Sequence, residues 1–200
     1  YMDKSIQKGS IVIQKHSINI RKKEYCKWID DSYFLVARAY FYKGEFLEAK
    51  KTFDFIKKNY KKTELAELSK LWIARCYIEM TDYHSAEIIL DELRAKSKFS
   101  EKIQKELHLV FADLYLKQNF YSDAVDELKS ACNLIKRKSN RSRFYYIIAQ
   151  VYQDAGNIKQ SKKYFEFVLN SNPEYEMVFN AKMNLARSLR DKKDLNQMKQ

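Results

Sequence analysis

Arg38, Arg75 and Arg187 recur at one interval among aromatic and apolar neighbours, and the chemistry they share is recognition of carboxylates. A guanidinium is a planar fork that donates two parallel hydrogen bonds to an oxyanion, and it stacks well on aromatic rings. The patterns that transform substrates are absent from the sequence. There is no glycine-rich phosphate loop, no nucleophile elbow and no pair of carboxylates at an interior position. Asp30 and Asp31 stand together where a helix is expected to begin, and acids there cap amide groups and complement the helix dipole. Cys26, Cys76 and Cys132 are odd in number and widely separated, and Cys76 reads as a small core residue. His16, His84 and His108 fall far apart, so neither a metal nor any other cofactor is expected, and the chain is not expected to be an enzyme.

The elements that must position the arginines show themselves by repetition. One spacing of small residues and aromatics appears four times, first as Ala37, Tyr40, Gly44, Phe46, Ala49 and Phe53. It returns as Ala74, Tyr77, Thr81, Tyr83, Ala86 and Leu90, then as Ala112, Tyr115, Asn119, Tyr121, Ala124 and Leu128. The fourth copy is Ala149, Tyr152, Gly156, Ile158, Ser161 and Phe165, and a fifth opens at Ala186. The leading alanines recur every 37 or 38 residues. A fixed period of this length marks an array of paired helices, which generally binds other proteins. Each leading alanine lets a second helix approach closely, Gly44 sits where the chain reverses, and Ala49 marks the crossing on the returning helix. Only 3 glycines and 1 proline in 200 residues leave little punctuation for strands, so no sheet is expected. Helix pairs are expected near 31–60, 67–97, 103–136 and 142–171, with one helix before and one after. Ala49, Ala86, Ala124 and Ser161 should be buried at helix crossings.

This spacing resembles the tetratricopeptide repeat. Its eight signature positions fall in the first copy at Tyr33, Val36, Ala37, Tyr40, Ala49, Phe53, Ile56 and Lys61. Lys61 departs from the family's proline, and only the fourth copy keeps it, at Pro173. The resemblance implies an all-α, right-handed α-solenoid of antiparallel helix pairs, with about four full repeats and partial ones at both ends. Repeats would lie near 30–66, 67–104, 105–141 and 142–178, with a partial one at 179–200. Residues 1–25 would supply the last helix of a preceding partial repeat and a linker, and residues 26–200 the array. In that first segment, Gly9 to Ile13 repeats the small-then-large spacing of Ala49 to Phe53. The chain reads as a piece of a longer array, with apolar surface open beside Ile6 and Ile13 and beside Leu189 and Leu195.

In this family the first helix of each unit lines a concave groove that takes a protein or peptide partner. By that resemblance Phe34, Arg38, Phe41 and Tyr42 face inward from the first unit, and Leu71, Arg75 and Ile78 from the second. Asp113, Leu116 and Lys117 follow from the third, Tyr146 and Gln150 from the fourth, and Arg187 from the partial fifth. Arginine among aromatics suits a segment with carboxylates and apolar anchors. The alternative is that the arginines only pair with neighbouring acids such as Asp31 or Glu79. Members that clamp chaperone C-termini carry a lysine where this chain has Phe34, so that role is not expected.

The chain has 38 basic against 26 acidic side chains, a net charge of +12. Lysine is spread through all units, and the one dense run is KRKSNRSR at 136–143. Nucleic-acid binding wants arginines and stacking aromatics on one accessible face, whereas here the core consumes most aromatics. No specific nucleic-acid partner is expected, and attraction to an acidic partner or an anionic lipid surface stays open. A closer resemblance joins VIQKHSI at 12–18 to KWIDDSYFLVARAYFYKGEFLEAKKTF at 27–53. Those stretches are similar to the tetratricopeptide lipoproteins of Bacteroidetes gliding motility and type IX secretion, the SprE/PorW family. That resemblance implies a non-enzymatic scaffold on the periplasmic face of the outer membrane, with secretion-apparatus subunits as partners. Membrane association would come only through a lipid anchor outside this segment. A cytoplasmic assembly or regulatory module is the competing reading, and a nucleic-acid-associated protein the third.

Overall fold

The computed structural model describes residues 1–21, 23–61, 63–96 and 99–197, without the side chains of 19, 23, 138, 139 and 188–197. The side chains of Leu189 and Leu195 therefore lie outside the described residues. Among the described residues ten helices follow one another: α1 (Met2–His16), α2 (Ile29–Lys43), α3 (Phe46–Asn59), α4 (Glu64–Glu79) and α5 (Tyr83–Arg94). Then come α6 (Glu101–Lys117), α7 (Tyr121–Asn133), α8 (Lys138–Asp154), α9 (Ile158–Leu169) and α10 (Tyr175–Gln197). The chain forms two compact units, Tyr1–Val110 and Phe111–Gln200. In the first, α1 packs on α2, α2 on α3 and α4, α3 on α4, and α4 on α5. In the second, α7 packs on α8, α8 on α9, and α9 on α10.

The expected absence of a sheet fails at one place. Between α1 and α2, β1 (Asn19–Ile20) pairs antiparallel with β2 (Lys23–Glu24). Arg21 takes φ +50° at the reversal, which a tight turn between strands requires. The Glu24 carboxylate then holds the segment, accepting from the Ser17 hydroxyl and from the Ile18 and Cys26 amides at 3.0 and 2.9 Å. Burial would raise its pKa, but these hydrogen bonds outweigh it and hold the carboxyl below its usual range. The hairpin occupies a connection and leaves the helical register intact.

Each helix pair reverses in the same way. Gly44, Thr81, Asn119 and Gly156, one residue per repeat, have φ of +86°, +61°, +63° and +72°. After each, an amide reaches back five residues: Glu45 to Tyr40, Asp82 to Tyr77, Phe120 to Tyr115 and Asn157 to Tyr152, at 2.8–3.0 Å. This is the Schellman closure of a helix, which satisfies carbonyls the last turn would otherwise orphan. Two of the four returning helices, α5 and α9, start on Asp82 and Asn157, whose side chains accept from the Ser85 and Gln160 amides at 3.1 and 3.2 Å. Asp30 plays a related part at the start of α2, accepting from the Asp31 amide at 3.0 Å.

The small residues meet where expected. Ala49, Ala86, Ala124 and Ser161 are all at 0% exposure. The same logic binds α1 to α2, because a Cβ on Gly9 would lie 2.5 Å from Val36 Cγ2. Lys43 on α2 adds ion pairs to Asp3 of α1 and to Glu45, both at 2.7 Å. Ile6 and Ile13 are half-buried, while Met2, Ile11 and Val12 of α1 are exposed. In the first unit, Ala37, Ala49, Phe53, Ile56, Trp72, Ile73 and Cys76 form one core cluster. In the second, Phe165, Val168 and Ala181 pack with Ala149.

Two substitutions test these constraints. Thr81 is exposed and β-branched in a left-handed conformation, a strain of about 1–2 kcal/mol that glycine would remove. Glycine costs about 0.5–1 kcal/mol in unfolded-chain entropy, so Thr81→Gly should stabilise by about 0.5–1 kcal/mol in denaturant melts. A loss of stability would refute the strain. Conversely, Gly9→Ala should destabilise by about 1–3 kcal/mol through overpacking, although alanine favours helix by about 1 kcal/mol. Adding Val36→Ala should recover part of the loss, and a rise in melting temperature for Gly9→Ala alone would overturn the crossing at Gly9.

Candidate partner-binding surface

In the first unit, helical spacing puts Phe34, Arg38, Phe41 and Tyr42 on one face of α2, and Trp72 and Arg75 one turn apart on α4. Trp72 is the hub. Its ring centroid lies 5.1 Å from Phe41, 5.8 Å from Tyr42, 6.3 Å from Phe34 and 5.6 Å from Phe53. The first three contacts are edge-to-face and the Phe53 contact is stacked, which are the favoured geometries of aromatic quadrupoles. Both arginines lie over the same indole, the guanidinium carbon of Arg38 at 5.2 Å and that of Arg75 at 4.7 Å. Arg38 also lies 5.8 Å from the Tyr42 ring.

The two arginines look alike in sequence and differ in electrostatics. Arg75 Nη2 pairs with Glu106 Oε2 of α6 at 3.3 Å. Arg38 pairs with no carboxylate among the described residues, and its Nε is buried without a hydrogen-bond partner. Pairing with Asp31 is not seen for Arg38, and the acid on Arg75 is Glu106 instead of Glu79. Contact with two ring faces offsets part of the desolvation of Arg38, by about 0.5–2 kcal/mol. The rest has no acidic partner to offset it among the described residues.

Phe34 and Phe41 are half-buried and Tyr42 is 55% exposed, so this aromatic floor opens outward through Tyr42. Leu71 and Ile78 do not belong to it, since each is only 1% exposed. The reason is that α4 is packed by α2, α3 and α5, so its flanking positions become core. Trp72 and Glu106 were not among the expected site residues. Trp72 carried a signal in its size and its place three residues before Arg75, whereas Glu106 carried none, because its partner lies 31 residues away.

The remaining expected residues lie in the second unit. Asp113 and Leu116 are half-buried, and Lys117, Gln150 and Arg187 are exposed. Tyr146 packs edge-on against Phe165 at 5.5 Å, and its hydroxyl accepts from Asn184 Nδ2 at 3.0 Å, tying α8 to α10. Two of the three thiols are withdrawn into the core. Burial pushes the Cys76 thiol up to about 12 and raises that of Cys132. Among the described residues no cluster of His, Cys, Asp and Glu could hold a metal, and no helix is long and apolar enough to cross a membrane.

Residues 142–175 match the tetratricopeptide repeat family. Solved structures extend the likeness to the whole chain. BtubC (BKLC) from P. vanneervenii superposes with a TM-score of 0.67 at 12% identity, over 98% of this chain and 83% of that one. The chain has a tetratricopeptide-repeat fold. MamA (41-end) from Desulfovibrio magneticus RS-1 gives 0.57 at 9% identity, over 85% of each chain. A putative kinesin light chain with nearly identical TPR-like repeats from Podospora anserina gives 0.55 at 19% identity, over 85% and 84%. A search of curated proteins finds no match. At these identities the solved structures establish the fold, and the arginine–tryptophan surface is argued from this chain's own residues.

A binding surface should be less stable than it could be. Arg38→Met keeps apolar contact with Trp72 and removes an unpaired nitrogen, so stability should change by less than about 0.5 kcal/mol or rise. Glu106→Gln breaks a real pair and should cost about 1 kcal/mol. A larger loss for Arg38→Met than for Glu106→Gln, in the same denaturant melts, would make Arg38 structural.

Proposed function

We propose that this tetratricopeptide-repeat chain is a non-enzymatic scaffold whose α2–α4 face captures a protein segment bearing carboxylates beside apolar side chains. One observation carries the reading: a guanidinium without an acidic partner, seated over Trp72 and Tyr42. An oxyanion from a partner would make charge-assisted hydrogen bonds there, with Tyr42 and Phe41 offering apolar contact.

The more specific reading is a subunit of the type IX secretion and gliding-motility apparatus, on the periplasmic face of the outer membrane. What supports it is the sequence resemblance at 12–18 and 27–53. Partners would then be other subunits of that apparatus, and the membrane contact would come from a lipid anchor on another part of the protein. Protease accessibility in spheroplasts of native cells decides the location, since protection until the inner membrane is lysed would establish the cytoplasmic module instead.

Capture itself is tested by Arg38→Ala combined with Arg75→Ala, assayed by pull-down from native cells together with a melting curve. About 1–3 kcal/mol of binding should be lost for each desolvated charged contact, and less for an arginine that stays at the rim. Unchanged capture with an unchanged melt would move the interaction away from this face.

A further inference from the structure

A second charged site lies in the first unit, apart from the arginine–tryptophan surface. Where α3 ends and α4 passes α5, a cavity of about 670 Å³ is lined by five lysines and two carboxylates. The acids are already shared. Asp54 accepts both Lys50 at 3.3 Å and Lys57 at 2.8 Å. Glu67 accepts both Lys70 at 3.5 Å and Lys96 at 3.3 Å. Lys58 and Lys61 also line the cavity and pair with no acid among the described residues. The lining therefore holds an excess of three positive charges. Just beyond it, Lys50 and Glu92, the latter 3.7 Å from Lys70, cancel each other.

Lysines near helix C-termini usually only complement the dipole, and Lys57 and Lys58 in the last turn of α3 fit that description. It does not cover Lys70 or Lys61. Lys70 stands mid-way along α4 with a side chain only 20% exposed, held by two long ion pairs, and Lys61 lies beyond the helix. Ammonium groups drawn together around one carboxylate repel each other, and a multivalent anion in the cavity would relieve that repulsion. Among the described residues no aromatic side chain lines the cavity to stack a base, so recognition would rest on phosphate charge.

We propose that this cavity binds a small anion carrying two or more phosphates, seated among Lys58, Lys61, Lys70 and Lys96. The same phosphate chemistry could come from a free polyphosphate or from a lipid headgroup.

Isothermal titration with sodium tripolyphosphate, at fixed ionic strength, should give saturable one-site binding and a rise in melting temperature. Lys58→Gln with Lys61→Gln, two exposed side chains whose loss leaves every ion pair intact, should weaken binding at least tenfold. Lys8→Gln with Lys15→Gln on α1 removes the same charge elsewhere and should leave it unchanged. Absence of binding by the native chain, or equal weakening by both double variants, would overturn the site. Vesicles of phosphatidylcholine with phosphatidylinositol 4,5-bisphosphate separate the sources. Sedimentation that tripolyphosphate competes away identifies a lipid headgroup, and tripolyphosphate binding without sedimentation identifies a free anion.

Discussion

Everything in each unit depends on how closely two antiparallel helices can approach after a reversal of fixed length. The left-handed residue at 44, 81, 119 or 156 ends one helix on a Schellman closure and fixes the start of the next. That start in turn fixes which residue of the returning helix lies at the crossing. The crossing residue must be small, and it is Ala49, Ala86, Ala124 or Ser161, each fully buried. Aromatics and leucines one turn later then fill the space beside the crossing, as Phe53, Leu90 and Phe165 do. Close packing makes even one added methylene felt, so the repeat is held by sterics more than by any polar contact.

This division of labour frees the outer face of each first helix. In α2 the buried residues are Ile29, Val36, Ala37 and Ala39, leaving Arg38 and the exposed Tyr42 able to vary without disturbing the crossing. The position after the leading alanine holds Arg38, Arg75, Asp113, Gln150 and Arg187 in successive copies. Such variation on a constant frame is what a recognition surface requires. Trp72 shows where frame and surface meet. It is 7% exposed and belongs to the core cluster, yet its ring carries both guanidiniums. Placing the arginines on a buried indole fixes them in a way that an exposed aromatic could not.

The sequence made the repeat phase legible because its causes are local. Gly44 and Gly156 announced the reversal, and the same interval located Thr81 and Asn119, which take the same conformation without being glycine. The buried small residues followed from that phase. What stayed hidden depended on neighbours distant in sequence. Leu71 and Ile78 read as surface because one repeat cannot reveal how many helices will cover α4. Glu106 was invisible as a partner of Arg75 because it comes from the next repeat. The hairpin at 19–24 was missed because two-residue strands leave no periodicity to detect, and its anchor is one carboxylate with several donors.

Charge placement separates structure from recognition more sharply than burial does. Ion pairs such as Lys51 with Glu48 and Lys129 with Asp126 join adjacent turns of one helix, and contribute little because both groups remain in water. Arg75 with Glu106 joins different helices with both side chains mostly covered, so its geometry constrains how α6 approaches α4. Arg38 is the departure from both patterns. Its neighbours hold it in place, and no acid neutralises it among the described residues. A chain with 26 acidic side chains did not lack the means to supply one, since a single substitution on an adjacent turn would do so. An unpaired cation fixed over aromatic rings costs stability in the free protein, and that is the cost the proposed capture of a carboxylate would offset.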